Sequence, residues 1–162
     1  MTLRYILLRI KLSEDTQGER NVMVKEIIYS LQKHDAVIQE LKKLMGQYQI
    51  FAISGPLGAG KTTTIKALLR SCGVTGPITS PTFTYVNEYK NNQGEYFYHF
   101  DLYRIGSLQE FQAQGFDEYL YQSNSWSFIE WPEVIKPLLT YDVCYLIFDY
   151  HEDPDKRVVR IE

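Results

Sequence analysis

Residues 55–62 read Gly-Pro-Leu-Gly-Ala-Gly-Lys-Thr, so Gly55, Gly60, Lys61 and Thr62 satisfy the spacing G-x-x-x-x-G-K-[ST]. Each residue type has a chemical reason. Gly55, Gly58 and Gly60 can take positive φ and let the backbone approach an anion without a Cβ in the way. The N–H groups so turned inward form a nest for phosphate oxygens. A helix opening near Lys61 adds the positive end of its dipole. Lys61 brings a full charge for β- and γ-phosphates, Thr62 a hydroxyl for magnesium, and Thr63 follows where an α-phosphate would lie. The expected nucleotide-binding set is Gly55, Gly58, Ala59, Gly60, Lys61, Thr62 and Thr63, and the expected ligands are ATP and Mg2+.

Such a loop needs an acid at a neighbouring strand end to hold the metal, directly or through water. Asp101 ends the run Tyr96–Phe100 and Glu130 ends Ser127–Ile129. Both follow apolar or aromatic residues, which places both at the crevice where strands end. Either can hold the metal while the other orients water. The alternative for each is a solvated strand-end charge. Lys61, Asp101 and Glu130 are the candidate catalytic residues, and Thr62, Glu130 and Asp101 the candidate metal ligands. Ser80, Pro81, Thr82 and Phe83 lie after the helix that the loop opens, where a segment could respond to a γ-phosphate as switch loops do.

The elements that must position these groups follow from periodicity. Lys25–Ser30 reads as a strand, and His34–Gly46 as a helix with Val37, Ile38, Leu41, Leu44 and Met45 at helical spacing. Tyr48–Ser54 is a short apolar run typical of a buried strand. The helix from Lys61 carries Ile65, Leu68, Leu69 and Cys72 on one face and stops at Gly73. Thr82–Tyr89 and Glu95–Leu102 are β-prone runs around Asn91-Asn92-Gln93-Gly94, a hairpin signal. Ser107 with Glu110 fits a helix start. Phe116–Tyr121 and Glu133–Leu139 read as short helices, Ser127–Trp131, Tyr141–Tyr150 and Arg157–Ile161 as strands. The expected fold is α/β, a three-layer P-loop NTPase-like domain with a mainly parallel sheet and antiparallel hairpin additions. Residues 25–162 form one domain. Residues 1–24 are an N-terminal extension of uncertain structure, with Ser13–Asn21 a polar loop.

Bulk properties narrow the class. The 162 residues carry 17 Lys and Arg against 20 Asp and Glu, a formal charge of −3. That argues against a broad basic face for nucleic acid. Cys72 and Cys144 lack metal-like spacing and read as buried residues of a reducing compartment. No apolar run approaches the ~20 residues that span a bilayer. The N-terminus lacks the core and cleavage site of a signal peptide. The expectation is a cytoplasmic protein that does not bind membranes.

Five blocks occur in order: Gly58-Ala59-Gly60-Lys61-Thr62-Thr63, Ser80-Pro81-Thr82-Phe83-Thr84, His99-Phe100-Asp101-Leu102-Tyr103-Arg104, Gly115-Phe116-Asp117-Glu118-Tyr119 and Glu130-Trp131-Pro132. Together they resemble the bacterial TsaE (YjeE) ATPase family over about residues 27–150. The resemblance implies weak Mg-dependent ATP hydrolysis in the service of tRNA threonylcarbamoyladenosine synthesis, with TsaD and TsaB as partners and tRNA met indirectly. It further implies metal ligation by Thr62 and Glu130, a catalytic or water-shell role for Asp101, and a switch-like Ser80–Phe83 loop. Pro56 departs from the aspartate that the family usually carries there, so any role of that acid is missing. His34 or Asp35 would be nearest to adenine, a weak match.

Other residues have plainer readings. His99 reads as a packed or hydrogen-bonded core residue rather than a chemical one, Arg157 and Arg160 as solvated, and Trp131 either packs beneath the site or acts in it. Arg104 pairs with an acid or faces a partner. Two competing functions remain: a small-molecule kinase, weakened because no Arg-rich helical segment follows the loop's helix, and a nucleotide-gated binding module in which ATP only orders residues 76–90.

Overall fold

The computed structural model describes residues 9–13, 22–30 and 33–162. Most of the expected Ser13–Asn21 loop lies outside them, Ser13 being the last residue of a strand. Among the described residues, eight strands form one sheet: β1 (Arg9–Ser13), β2 (Val22–Ser30), β3 (Ile50–Ser54), β4 (Val86–Lys90), β5 (Tyr96–Asp101), β6 (Ser125–Glu130), β7 (Val143–Tyr150) and β8 (Lys156–Ile161). Their order is β1-β2-β8-β7-β3-β6-β5-β4. The parallel pairings are central: β3 with β6, β3 with β7, and β5 with β6. The four pairings at the two margins are antiparallel. The sheet is therefore mixed, with antiparallel additions that outnumber the expected hairpins. The cause is the return of β8 between β7 and β2, which sequence periodicity does not encode.

Alternation along the strands builds two cores. Phe51 and Ile53 of β3 join Phe97, Phe128, Leu146 and Phe148 on one face, beneath helices α1 (Asp35–Leu44) and α2 (Lys61–Ser71). Ile50 and Ala52 join Tyr98, Phe100 and Ile129 on the other, beneath helix α3 (Leu108–Ala113) and the short 3₁₀ segments Phe116–Tyr119 and Pro132–Leu138. A period of two on each strand thus yields three layers. β3 is buried on both faces, which is why its sequence is continuously apolar.

The helices end as their residues dictate. Gly73 takes φ 85°, its N–H bonds Arg70 O, and Val74 N–H reaches back to Leu69 O, a Schellman closure of α2. Lys42 adds an ammonium to the Ser71 carbonyl at 2.9 Å, a cation at the same negative helix end. Ser107 Oγ accepts the Glu110 N–H at 3.1 Å and caps α3, while the Glu110 carboxylate takes the Gly106 N–H.

Two expected elements differ. The β-run at Thr82–Tyr89 begins only at Val86, because Thr84 and Tyr85 N–H both turn back to Pro81 O and Tyr85 sits at φ 62°. Local turn bonding overrides strand propensity there. The expected helix at Glu133–Leu139 is a 3₁₀ segment, with Pro137 inside it removing an N–H donor. Among the described residues, no helix is long and apolar enough to cross a membrane.

Candidate functional site

β3 ends at Ser54, and the chain then turns through Gly55 (φ 130°), Gly58 (φ 77°) and Gly60 (φ 98°) before entering α2 at Lys61. Gly55 has a second constraint besides its φ: a Cβ there would run into the Phe148 carbonyl oxygen of β7. The first-turn N–H groups of α2 have no acceptor within their own helix and face the loop. Ala59 is fully buried and gives its N–H to Pro56 O at 3.2 Å, so its role is to fold the loop.

Above this turn lies a cleft of ≈ 530 Å³. It is lined by Leu57, Gly58, Gly60, Lys61, Thr62 and Thr63 from the loop and α2, Ser80 and Thr82 from the following loop, and Asp101, Tyr103, Arg104, Glu130, Trp131 and Arg157 from strand ends. The register explains the two acids. Asp101 pairs with Glu130 and Ile53 with Glu130. Both carboxylates therefore leave adjacent strands at the same level and on the α2 face, since Phe97 and Phe128, four and two residues earlier, face α2.

A buried polar chain joins these groups. Thr62 Oγ1 donates to Glu130 Oε1 at 2.7 Å, and the same oxygen accepts from His99 Nε2 at 2.8 Å. Glu130 is 3% exposed and His99 0%. An ionised carboxylate only accepts, so the hydrogen of that bond sits on Nε2. His99 Nδ1 has no hydrogen-bond partner among the described residues. The reading of His99 as a packed or hydrogen-bonded core residue agrees with its burial and with this bond; which group it bonds, Glu130, follows only from the β5–β6 register. Asp101 is held separately: Oδ2 accepts from Thr82 Oγ1 at 3.0 Å and Oδ1 from the Tyr103 N–H at 3.2 Å.

Lys61 is 4% exposed. Its Nζ donates to Gly55 O at 2.7 Å and Pro56 O at 3.0 Å, and lies 4.1 Å from the centre of the Trp131 ring. Burial pushes its ammonium below the ordinary lysine range, and the charges of Glu130, Asp101 and Glu133 push it partly back. Trp131 reaches this position through a left-handed backbone (φ 60°, ψ 57°), with Pro132 opening the 3₁₀ segment after it and its ring stacked obliquely on Tyr103.

The structure brings Gly58, Gly60, Lys61, Thr62, Thr63, Ser80, Thr82, Asp101, Arg104, Glu130 and Trp131 to one cleft. Pro81 is buried beneath it, and Phe83 is 83% exposed at its edge with the Arg104 guanidinium 5.0 Å from its ring. His34 and Asp35 do not line the cleft. Arg157 corrects its expected place in solvent: it lines the cleft at the β8 end. Arg160 instead meets Glu26 at 3.4 Å and Asp149 at 3.8 Å. Tyr150 was not singled out by sequence either, yet its hydroxyl donates to the Leu57 carbonyl within the glycine loop. The signal was present in the alternation Cys144, Leu146, Phe148, Tyr150, which puts Tyr150 on the α2 face.

The donor set is chemically uniform. Thr62, Glu130 and Asp101 offer hard oxygens. Among the described residues no group of three His, Cys, Asp or Glu side chains forms a metal cage. Hard oxygens of this kind are the ligand type that Mg2+ takes, with one or two carboxylates and the rest from phosphate and water.

A profile described as "Threonylcarbamoyl adenosine biosynthesis protein TsaE" matches residues 28–159. Three curated relatives carry the name tRNA threonylcarbamoyladenosine biosynthesis protein TsaE. That of Haemophilus influenzae is 39% identical over 101 residues, covering 62% of this chain and 63% of the relative. That of Synechocystis is 38% identical over 109 residues, covering 62% and 64%. That of Aquifex aeolicus is 34% identical over 145 residues, covering 86% and 96%. The chain thus spans somewhat under two thirds of the length of the first two relatives and nearly all of the third. Among solved structures, the crystal structure of Bacillus subtilus YdiB superposes with a TM-score of 0.62 at 26% identity, covering 86% of each chain.

Proposed function

The chain belongs to the TsaE family, and from that premise we propose that it is an ATP-binding and ATP-hydrolysing component of the machinery that makes threonylcarbamoyladenosine beside the anticodon of tRNA. The observation that carries the reading is the 2.7 Å bond between Thr62 in the first turn of α2 and Glu130 at the end of β6, across a glycine loop with a buried lysine. A hydroxyl and a carboxylate held together beside an anion nest are what a P-loop nucleotide site needs.

In this reading the fold is of the P-loop NTPase type, and residues 25–162 work as one ATPase domain. The loop N–H groups and Lys61 bind the phosphates. Thr62 and Glu130 would hold Mg2+, which would supply positive charge to the phosphate end of the site. His99 fixes the Glu130 carboxylate, leaving it no free rotation. Asp101, adjacent to Glu130 but bonded elsewhere, accepts a proton from the attacking water and orients it. Thr82 moves with the Ser80–Phe83 loop and reports that movement to Asp101 through its bond to Oδ2. Binding energy is spent on positioning, since phosphoryl transfer asks little covalent chemistry of the protein.

The proposed partners are TsaD and TsaB, with the exposed rim of Leu57, Phe83, Tyr103 and Arg104 turned toward them. The net charge of −3 leaves tRNA contact to those partners, and the proposed location is the cytoplasm. The test is ATP turnover by the purified chain with Mg2+, alone and with the TsaB–TsaD pair. Slow turnover that rises with the partners and vanishes in Lys61→Ala is expected. Turnover indistinguishable from that of Lys61→Ala under both conditions overturns the proposal. A second reading, a nucleotide-gated docking module, draws on the Thr82–Asp101 bond. It predicts that Asp101→Asn binds ATP, fails to hydrolyse it and still supports modification.

A further inference from the structure

In the glycine loop the carbonyls are tied up while an N–H at its middle stays free. Lys61 Nζ takes Gly55 O at 2.7 Å and Pro56 O at 3.0 Å, and Tyr150 at the end of β7 gives its hydroxyl to Leu57 O. The Ala59 N–H bonds Pro56 O at 3.2 Å, whereas the Gly58 N–H has no acceptor among the described residues. Two tyrosine hydroxyls back the loop where two glycines leave room. A Cβ on Gly58 would sit 3.3 Å from the Tyr150 hydroxyl, and one on Gly60 3.1 Å from that of Tyr29. The two differ in what they hold. The Tyr29 hydroxyl meets the Thr64 side chain at 3.4 Å. The Tyr150 hydroxyl holds loop backbone, and it comes from outside the cleft: Leu57 and Gly58 line the cleft and Tyr150 does not.

We propose that Tyr150 is a positioning residue of this site: by tying down the Leu57 carbonyl, it aims the Gly58 N–H at a phosphate oxygen of the nucleotide. The inference rests on the nucleotide reading above and deepens it. The Leu57–Gly58 peptide is planar and trans, so its C=O and N–H point in opposite directions. A carbonyl held toward β7 leaves the N–H facing the cleft. Gly58 sits at φ 77°. Glycine takes either sign of φ at little cost, so without a tether this plane can turn over. Turned over, it presents a carbonyl oxygen to the phosphates, which repels where the N–H attracts. The Tyr150 hydroxyl thus sets one dipole of the anion nest in advance, and a dipole set in advance need not reorganise when the ligand arrives. One neutral hydrogen bond of this kind biases the two orientations about fivefold.

Leu57–Gly58 is the sole Leu-Gly pair in the sequence. Protein carrying 13C at leucine carbonyls and 15N at glycine therefore gives one carbonyl–amide NMR peak, that of this peptide. Tyr150→Phe keeps the ring and loses the hydroxyl. In the ligand-free chain it should move the Leu57 carbonyl carbon upfield, the sign of a lost hydrogen bond. Mg-ATP should move the Gly58 amide proton of the native chain downfield. In Tyr150→Phe that movement should shrink, and calorimetric affinity for Mg-ATP should fall about fivefold. Tyr29→Phe is the control: its hydroxyl abuts Gly60 but bonds a side chain, so the peak and the affinity should stay as they are. A Leu57 carbonyl unmoved by Tyr150→Phe, an unchanged affinity in that variant, or a Gly58 amide proton indifferent to Mg-ATP in a native chain that binds it overturns the inference. If the ligand-free carbonyl moves as expected but the native chain takes up no Mg-ATP, the tether stands and it is the nucleotide reading that falls.

Discussion

The two ends of the cleft are built on opposite principles. At the β5–β6 end, the polar site groups are already engaged: Thr62 with Glu130, Glu130 with His99, Asp101 with Thr82 and the Tyr103 N–H. At the β7–β8 end the wall is a cation laid on an aromatic ring, and the Arg157 Nε is left without an acceptor among the described residues. The first arrangement suits a small ion and reactive phosphate, where tenths of an ångström matter and oriented dipoles must not reorganise. The second leaves a donor unspent.

Substitutions should therefore separate the ends. The largest effect is expected for Glu130→Ala. It removes the acceptor of both Thr62 and His99, and ATP turnover should fall on the order of 10²–10³-fold, with binding of Mg-free ATP nearly intact. Steady-state kinetics beside calorimetry checks both parts. A comparable loss from Arg157→Met in turnover per bound ATP would erase the proposed contrast.

Gly55→Ala comes next and strikes the junction between the ends. The new methyl meets the Phe148 carbonyl at a φ of 130°. Destabilisation of about 2 kcal/mol or more is expected from denaturant midpoints. Gly94→Ala, at φ 83° with open space around it, is the control for backbone strain alone and should cost about half as much.

How much of this was legible beforehand depends on whether neighbours in space are neighbours in the chain. Gly55–Thr63 is one continuous stretch, and its loop, helix start and Schellman stop at Gly73 follow from residue type and spacing. Asp101 and Glu130 were readable as acids ending apolar runs, because parallel strands end on one side. His99 was visible only as a histidine in an aromatic strand; its bond to Glu130 needs the β5–β6 register. Alternation along β7 puts Tyr150 on the α2 face, but nothing local brings Tyr29, Arg157 and Tyr150 side by side. They meet because β8 returns antiparallel between β7 and β2, and a long-range pairing of that kind leaves no motif. Thr82–Tyr85 misled for the opposite reason: strand propensity was real, but two N–H groups turning to Pro81 O decided the backbone.

Tyr150→Phe should have a smaller effect than either change above. It keeps the ring under Arg157 and removes the hydroxyl bonded to Leu57 O. A loss of about 1 kcal/mol in stability is expected from denaturant midpoints. An unchanged midpoint would show that the hydroxyl does not hold the loop.

The last prediction is one of slope. Lys61 lies at the β5–β6 end, near Glu130 and Asp101, and burial lowers its ammonium's pKa. The folded state thus releases that proton at lower pH than the unfolded chain does. Between the lowered folded value and the ordinary 10.5, the unfolded state binds more protons, so stability rises with pH. Lys61→Met should remove that rise, and its stability advantage over the native chain, measured by urea unfolding, should shrink as pH climbs toward 10.5. An advantage that grows with pH would reverse the sign.

The most direct test of the whole account is a calorimetric titration of the intact chain with ATP, with and without Mg2+. Saturable binding near one equivalent is expected, tightened by Mg2+ in the native chain but not in Glu130→Ala. No heat of binding from a folded native chain, or a Mg2+ effect that survives loss of Glu130, would contradict it.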